Sequence, residues 1–196
     1  MSKSVVENLA SGVDAFTSNV FLVRGERPVL VDAGSNFDVI SAVSGRNVEP
    51  DAIILTHTHP DHVGNVSAVT AEFGAETWGF DPDREPVDNP ISPGSTIQMG
   101  EDEYTALHTP GHAEDHLCFY SESSKRLFAG DLVFPDGGFG RTDLPGGDRT
   151  TLIESIERIA EHVDEDLREL HCGHGRSITD EPYSHVRAAL QMARGR

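Results

Sequence analysis

Short apolar runs closed by turn signals fill the first third of the chain. Residues 20–23 and 29–31 are apolar and mostly β-branched, the turn 25–28 separates them, and Asp32-Ala33-Gly34 closes the second run, a pattern that predicts a hairpin. A helix is expected over 38–43. Residues 52–55, Ala-Ile-Ile-Leu, are continuously apolar, which suits a strand buried on both faces. The strand runs into the polar segment 56–62. There Pro60 disfavours helix at His59 but suits the first turn of a new one, so the chain is expected to stay extended to His59 and to be helical through 63–73.

Prolines, glycines and carboxylates over 81–94 predict a surface loop, followed by strands at 96–99, 104–108, 117–120 and 126–129. Residues 132–147 are too long and too glycine-rich for a simple connection and predict a functional loop. Thr151 and Glu154 have capping-box spacing, and Leu152, Ile153, Ile156, Ile159, Ala160 and Val163 recur at helical intervals. A last strand is expected at 167–171 and a final helix at 182–194. Strands followed by mixed helices and strands predict a layered α/β domain over 1–196, with its loops gathered at one edge.

Composition narrows the function. Apolar residues make up 37% of the 196, with 19 Gly, enough for a sizeable core. The net charge of −18 repels phosphate backbones and anionic lipid, which excludes nucleic acid and membrane surfaces as expected partners. Of the 15 basic residues only Lys3 and Lys125 are lysines. Scarce lysine beside abundant carboxylates predicts a halophilic protein, because concentrated salt screens the self-repulsion. Cys118 and Cys172 are too few for a disulfide scaffold, the first ten residues lack a signal-peptide pattern, and no apolar run approaches a membrane span, so a cytoplasmic protein is expected.

The densest chemistry lies in Thr56-His57-Thr58-His59-Pro60-Asp61-His62, directly after the buried strand. In an extended segment His57 and His59 project to one side and can reach one ion, while Asp61 and His62, opening a helix, can turn to a second. Three more polar residues stand beside glycine at strand ends: His112 after Thr109-Pro110-Gly111, Asp131 after Gly130, and His174 between Gly173 and Gly175. The remaining histidines, His108, His116, His162, His171 and His185, read as surface or hydrogen-bonded residues, and both cysteines as packed thiols.

The order His57-x-His59-x-Asp61-His62, then His112, Asp131 and His174, resembles the five-motif pattern of the metallo-β-lactamase superfamily over essentially the whole chain. The resemblance implies an αββα four-layer sandwich. It also implies that His57, His59 and His112 hold one divalent metal ion and Asp61, His62 and His174 a second, bridged by Asp131. Zinc is the expected metal, with iron or manganese also suited to these ligands. A hydroxide shared by the pair would be the hydrolytic nucleophile, with Asp61 both ligating and orienting it.

Cysteine-bearing β-lactamases place Cys where this chain has Asp131. The segment from Gly140 to Asp148 with Thr109-Pro110-Gly111-His112 is instead similar to glyoxalase II-like hydrolases, which cleave S-2-hydroxyacyl thioesters of glutathione-type thiols. Gly140-Arg141-Thr142-Asp143 also resembles the persulfide dioxygenases, whose single iron would here sit on His57, His112 and Asp131. A third alternative is a catalytically silent metal-binding partner domain. Arg141, a cation in an acidic chain, is expected either to anchor a substrate carboxylate or to form a salt bridge with Asp143 or Asp148. Oligomeric state is open at this level.

Overall fold

The structure, a computed structural model, describes residues 4–195. The expected domain over 1–196 also takes in residues 1–3 and 196, Lys3 among them, which lie outside the described residues. One sheet contains, in spatial order, β1 (Val5–Asn8), β2 (Phe21–Arg24), β3 (Val29–Val31), β4 (Ala52–Ile54), β5 (Glu76–Gly79) and β6 (Asn89–Pro90). It is antiparallel up to β3 and parallel beyond. The other is an antiparallel meander of β7 (Thr96–Met99), β8 (Asp102–His108), β9 (Leu117–Ser121) and β10 (Arg126–Gly130), with β11 (Glu169–Cys172) added parallel to β10. Helices α1 (Val39–Ser44), α2 (Pro60–Val63) and α3 (Val66–Phe73) connect strands of the first sheet, α4 (Arg149–His162) connects β10 to β11 of the second, and α5 (Pro182–Ala193) follows β11.

Alternation along the strands produces the layers. Phe21, Val23, Val29, Val31, Ala52 and Ile54 point to the space between the sheets, where they meet Leu117, Phe119 and Phe128. Leu22, Leu30 and Ile53 point the other way, onto Val39 and Val43 of α1 and Val66 and Val69 of α3. On the second sheet Tyr120, Leu127 and Ala129 face Leu152, Ile156 and Ile159 of α4. Three apolar layers thus separate helix, sheet, sheet and helix, the αββα sandwich that the motif pattern implied. Burying each of those three α4 side chains contributes about 1.5–3 kcal/mol.

Several boundaries differ from the sequence reading for local reasons. The helix expected through 63–73 is two, interrupted at Asn65, which leaves helical geometry at φ −101° and ψ 2°, while Gly64 before it admits Ser35, whose Cβ would stand 2.6 Å from an added side chain. Helix α4 starts at Arg149, because Asp148 rather than Thr151 is the cap, accepting the Thr151 N–H at 2.7 Å. Strands β1 and β5 are half-buried edge or short segments with weak patterns, and β6 occupies two residues of the expected 81–94 loop.

Strand direction places the chemistry. Parallel pairing brings the C-terminal ends of β3 and β4 to one edge, and those of β10 and β11 to the same edge of the other sheet. Backbone hydrogen bonds close the two sheets there, from Leu117 N–H to the Thr56 carbonyl and from Asn19 N–H to the Gly173 carbonyl, both at 2.7 Å. Among the described residues, no helix is long and apolar enough to cross a membrane.

Candidate metal centre

Every residue of the sequence motif reaches this edge. His57 and His59 leave β4 extended, and His59 keeps β geometry at the start of α2, as Pro60 requires. His59 Nδ1 lies 3.0 Å from His57 Nε2 and 2.9 Å from His112 Nε2. A second group is formed by Asp61, His62 and His174, with His174 Nε2 3.0 Å from Asp61 Oδ2. Asp131 lies between the two: Oδ2 is 3.4 Å from His112 Nε2 and 3.5 Å from His174 Nε2, while Oδ1 is 3.4 Å from His62 Nε2.

Surrounding hydrogen bonds fix which nitrogen of each ring faces inward. Thr56 Oγ1 donates to Asp32 Oδ2 at 2.8 Å, so it can only accept from His57 Nδ1 at 3.0 Å, leaving His57 Nε2 bare. His62 Nδ1 donates to Asp32 at 2.7 Å, and His112 Nδ1 donates to the Arg141 carbonyl at 2.8 Å. His57 and His112 therefore both present lone pairs to His59. One proton on His59 Nδ1 could serve only one of them, whereas a cation serves all three. His62 Nε2 and Asp131 Oδ1 are buried with no hydrogen-bond partner. Orphaned buried atoms of this kind are costly unless a ligand completes them, and imidazole with carboxylate is a donor set suited to zinc, iron or manganese. These residues fit a metal pair.

The electrostatics agree. Burial holds the His57 imidazole well below its ordinary value, reinforced by the neighbouring histidines, so it is neutral and free to ligate. Burial opposes charge on His62 too, but Asp32 and Asp131 outweigh it and draw positive charge to that ring, whether from a proton or from a metal in its place. Burial likewise raises Asp131, yet His62, His174 and His112 hold it far below the usual carboxylate range.

Sequence reasoning missed the supports. Asp32, read only as the end of a hairpin, accepts from Thr56 N–H, the Thr56 hydroxyl and His62, and stands at φ 59°. The available signal was a carboxylate directly after a buried strand. His116, read only as a surface or hydrogen-bonded residue, is fully buried, accepts the Asp131 N–H at Nε2 (3.0 Å) and is bonded to Thr109 Oγ1 at Nδ1 (2.8 Å). Burial pushes its imidazole down to about 3, which keeps Nε2 an acceptor. Asp115 accepts from both the N–H and the hydroxyl of Thr58, pinning the segment between His57 and His59. Gly173 is required by close approach, since a Cβ would stand 2.0 Å from Asp131 Oδ1.

Arg141 lines the cleft over the site, but Asp143 occupies its guanidinium on two sides, at 2.7 and 2.6 Å. Of its two expected roles, this geometry is the salt bridge. What Arg141 gives the site directly is the carbonyl that orients His112.

Residues 13–172 match the family described as Metallo-beta-lactamase superfamily. The chain belongs to that superfamily. It is 36% identical to a hydroxyacylglutathione hydrolase of Enterobacter sp. (strain 638) over 157 residues, which is 78% of this chain and 60% of that enzyme. It is 29% identical to the hydroxyacylglutathione hydrolase GloC of Haemophilus influenzae over 196 residues, covering 85% of this chain and 90% of that protein. Among solved structures of the superfamily, TTHA1623 in a di-iron-bound form superimposes with a TM-score of 0.74 and 28% identity, covering 97% of both chains. Family membership, the fold and a His/Asp cluster able to bind metal together support a metal-dependent hydrolase.

Proposed function

We propose that this chain hydrolyses S-2-hydroxyacyl thioesters of a small thiol, in the manner of a glyoxalase II-like enzyme. The observation that carries the reading is Asp131 set between two complete triads, His57, His59 and His112 on one side and Asp61, His62 and His174 on the other. That arrangement favours a pair of metal ions over the single iron of a dioxygenase. Zinc is our first choice, and the di-iron form of TTHA1623 keeps iron beside it. The two relatives named hydroxyacylglutathione hydrolase support the substrate class.

When bound, the metals would supply an activated water and an electrophile for the thioester carbonyl. The chain's own residues do the rest. Asp32 and Thr56 hold His62 and His57 in the tautomers that ligate, His116 and Gly173 fix Asp131, and Asp115 fixes the loop carrying His57 and His59. Asp61, held below its ordinary value by His174 and His62 against the effect of burial, stays an acceptor able to orient water at the site. Asp143 engages Arg141 through Nε and Nη2, which leaves Nη1 as the side that could meet a substrate carboxylate.

The charge of −18 and the scarcity of lysine support a small-molecule substrate, rather than nucleic acid or membrane, and a home in a salt-rich cytoplasm. Anaerobic thiol release from lactoyl thioesters by metal-loaded protein in molar KCl tests the activity. Metal-dependent release is expected. Turnover only with a persulfide and oxygen would replace this reading with the dioxygenase, and no turnover with both metals bound would support a silent metal-binding domain.

A further inference from the structure

The cleft above the metal centre is large, about 1160 Å³, and its walls are unequal to the chemistry of a charged peptide thiol. Phe16, Phe134, Phe139 and Leu144 line it beyond the metal ligands. Phe16 is 76% exposed and lies over His174 with ring centroids 6.3 Å apart and planes 21° from parallel. Phe134 flanks the same imidazole from another side, at 6.2 Å. Phe139 is held by Arg149, whose guanidinium carbon stands 4.5 Å from the ring centroid. The polar lining outside the metal cluster is neutral, Ser35, Asn36 and Asn65, except for Arg141, which Asp143 already neutralises. Among the described residues that line the cleft, Arg141 is the one Lys or Arg, and its Nε and Nη2 are taken by Asp143.

A lactoyl-sized acyl group is small and polar and cannot cover this apolar surface. The thiol must do so. Resting on the thioesterase reading above, we propose that the leaving thiol is an uncharged, apolar thiol with an aromatic-sized body. That body sits against Phe16 and Phe134 beside His174, so that the enzyme prefers such thioesters to those of glutathione. The lining argues for this occupant: an aromatic ring left three-quarters exposed at the mouth of a cleft gains by being covered, and Phe134, Phe139 and Leu144 continue the same apolar surface.

The test compares kcat/KM for the lactoyl thioesters of benzyl mercaptan and of glutathione, using metal-loaded wild type and Phe16→Ala in molar KCl. A second readout, calorimetric binding of the non-hydrolysable hydroxypropyl thioethers of the same two thiols, does not depend on turnover. The proposal expects the benzyl substrate and its thioether to be favoured by about tenfold or more in wild type, the scale of one well-filled apolar contact, and that preference to shrink in Phe16→Ala. Phe16 is exposed, so its loss leaves the fold intact. A preference for the glutathione compounds, or a ratio that Phe16→Ala does not change, overturns the proposal while leaving the thioesterase reading in place. Hydrolysis of neither ester, by a protein shown to hold its metals, removes that reading and the proposal with it.

Discussion

Strands β10 and β11 carry a buried charged cluster at each end, and the two ends are built on opposite principles. At the start of β10, Arg126 pairs across the register with Glu169, its Nε donating at 2.8 Å, while its other nitrogens donate to the Tyr104 hydroxyl and the Ser4 carbonyl. His171 completes that end through Ser177 and Glu169. At the far end Asp131 and His62 keep inward-facing atoms with no partner. Charge at the first end is matched by opposite charge within the chain. At the second, five imidazoles and two carboxylates converge with no Lys or Arg among them, so the balancing charge comes from protons on the rings or from a bound cation. Burial of polar groups is common to both ends; Asp102 Oδ2 at the first end also lacks a hydrogen bond but lies 3.6 Å from Arg126 Nη1, so what marks the site is a cluster of orphaned atoms without a cationic side chain.

The largest effect that would break this contrast is expected from Asp131→Ala. Turnover should fall on the order of a thousandfold, the scale of one preorganised charge-stabilising group, with circular dichroism unchanged and metal content reduced. Near-normal turnover with two metals retained would refute its place between the triads. At the opposite end Arg126→Met should behave in reverse, lowering stability to denaturant by about 3 kcal/mol, because it strands Glu169 and Asp102, while leaving kcat of the folded protein alone. A drop in kcat at saturating metal would show that the two ends are coupled.

Asp32→Asn should weaken metal binding by about 10–100-fold, measured by chelator competition, since it removes the charge that orients His62 and, through Thr56, His57. Smaller still is the acid response of the paired end. Glu169 is held down to about 2 by hydrogen bonds from His171 and Arg126 against its burial, so its contribution is fully present above the ordinary value of 4.5 and is lost as pH falls toward 2. Acid unfolding of Glu169→Gln should therefore lack that part of the slope. A slope equal to wild type would mean the pair adds nothing. Arg141→Ala should change KM by no more than about threefold, as expected for an exposed pair of little net strength; a larger rise would return it to substrate anchoring.

Local sequence carried much of this molecule. The hairpin around Gly25, the strand at 52–55 and the helix after Asp148 follow from spacing and alternation, because each is a property of a short stretch of backbone, and the candidate series from His57 to His174 stands out by its place at strand ends, its assignment as ligands coming from the family resemblance. Three strands, β1, β5 and β6, escaped for the complementary reason. Their residues are only partly buried, and it is pairing with β2, β4 and β5 in turn that makes them strands.

Which residues support the ligands was a tertiary decision. Asp32 meets Thr56 and His62 across 24 and 30 residues, His116 meets Asp131 across 15, and Asp115 meets Thr58 across 57. Beyond the place of Asp32 directly after a buried strand, nothing local distinguishes these carboxylates from the many solvated ones in an acidic chain. The same holds for Arg141, whose two expected roles only the position of Asp143 could separate, and for Phe16, which the sequence leaves unremarkable and the fold sets over His174. The sequence determined the kind of chemistry, since donor types and strand ends are local. The folded sandwich decided the protonation, the partners and the shape of the cleft, because burial and opposing charge exist only once the two sheets have closed.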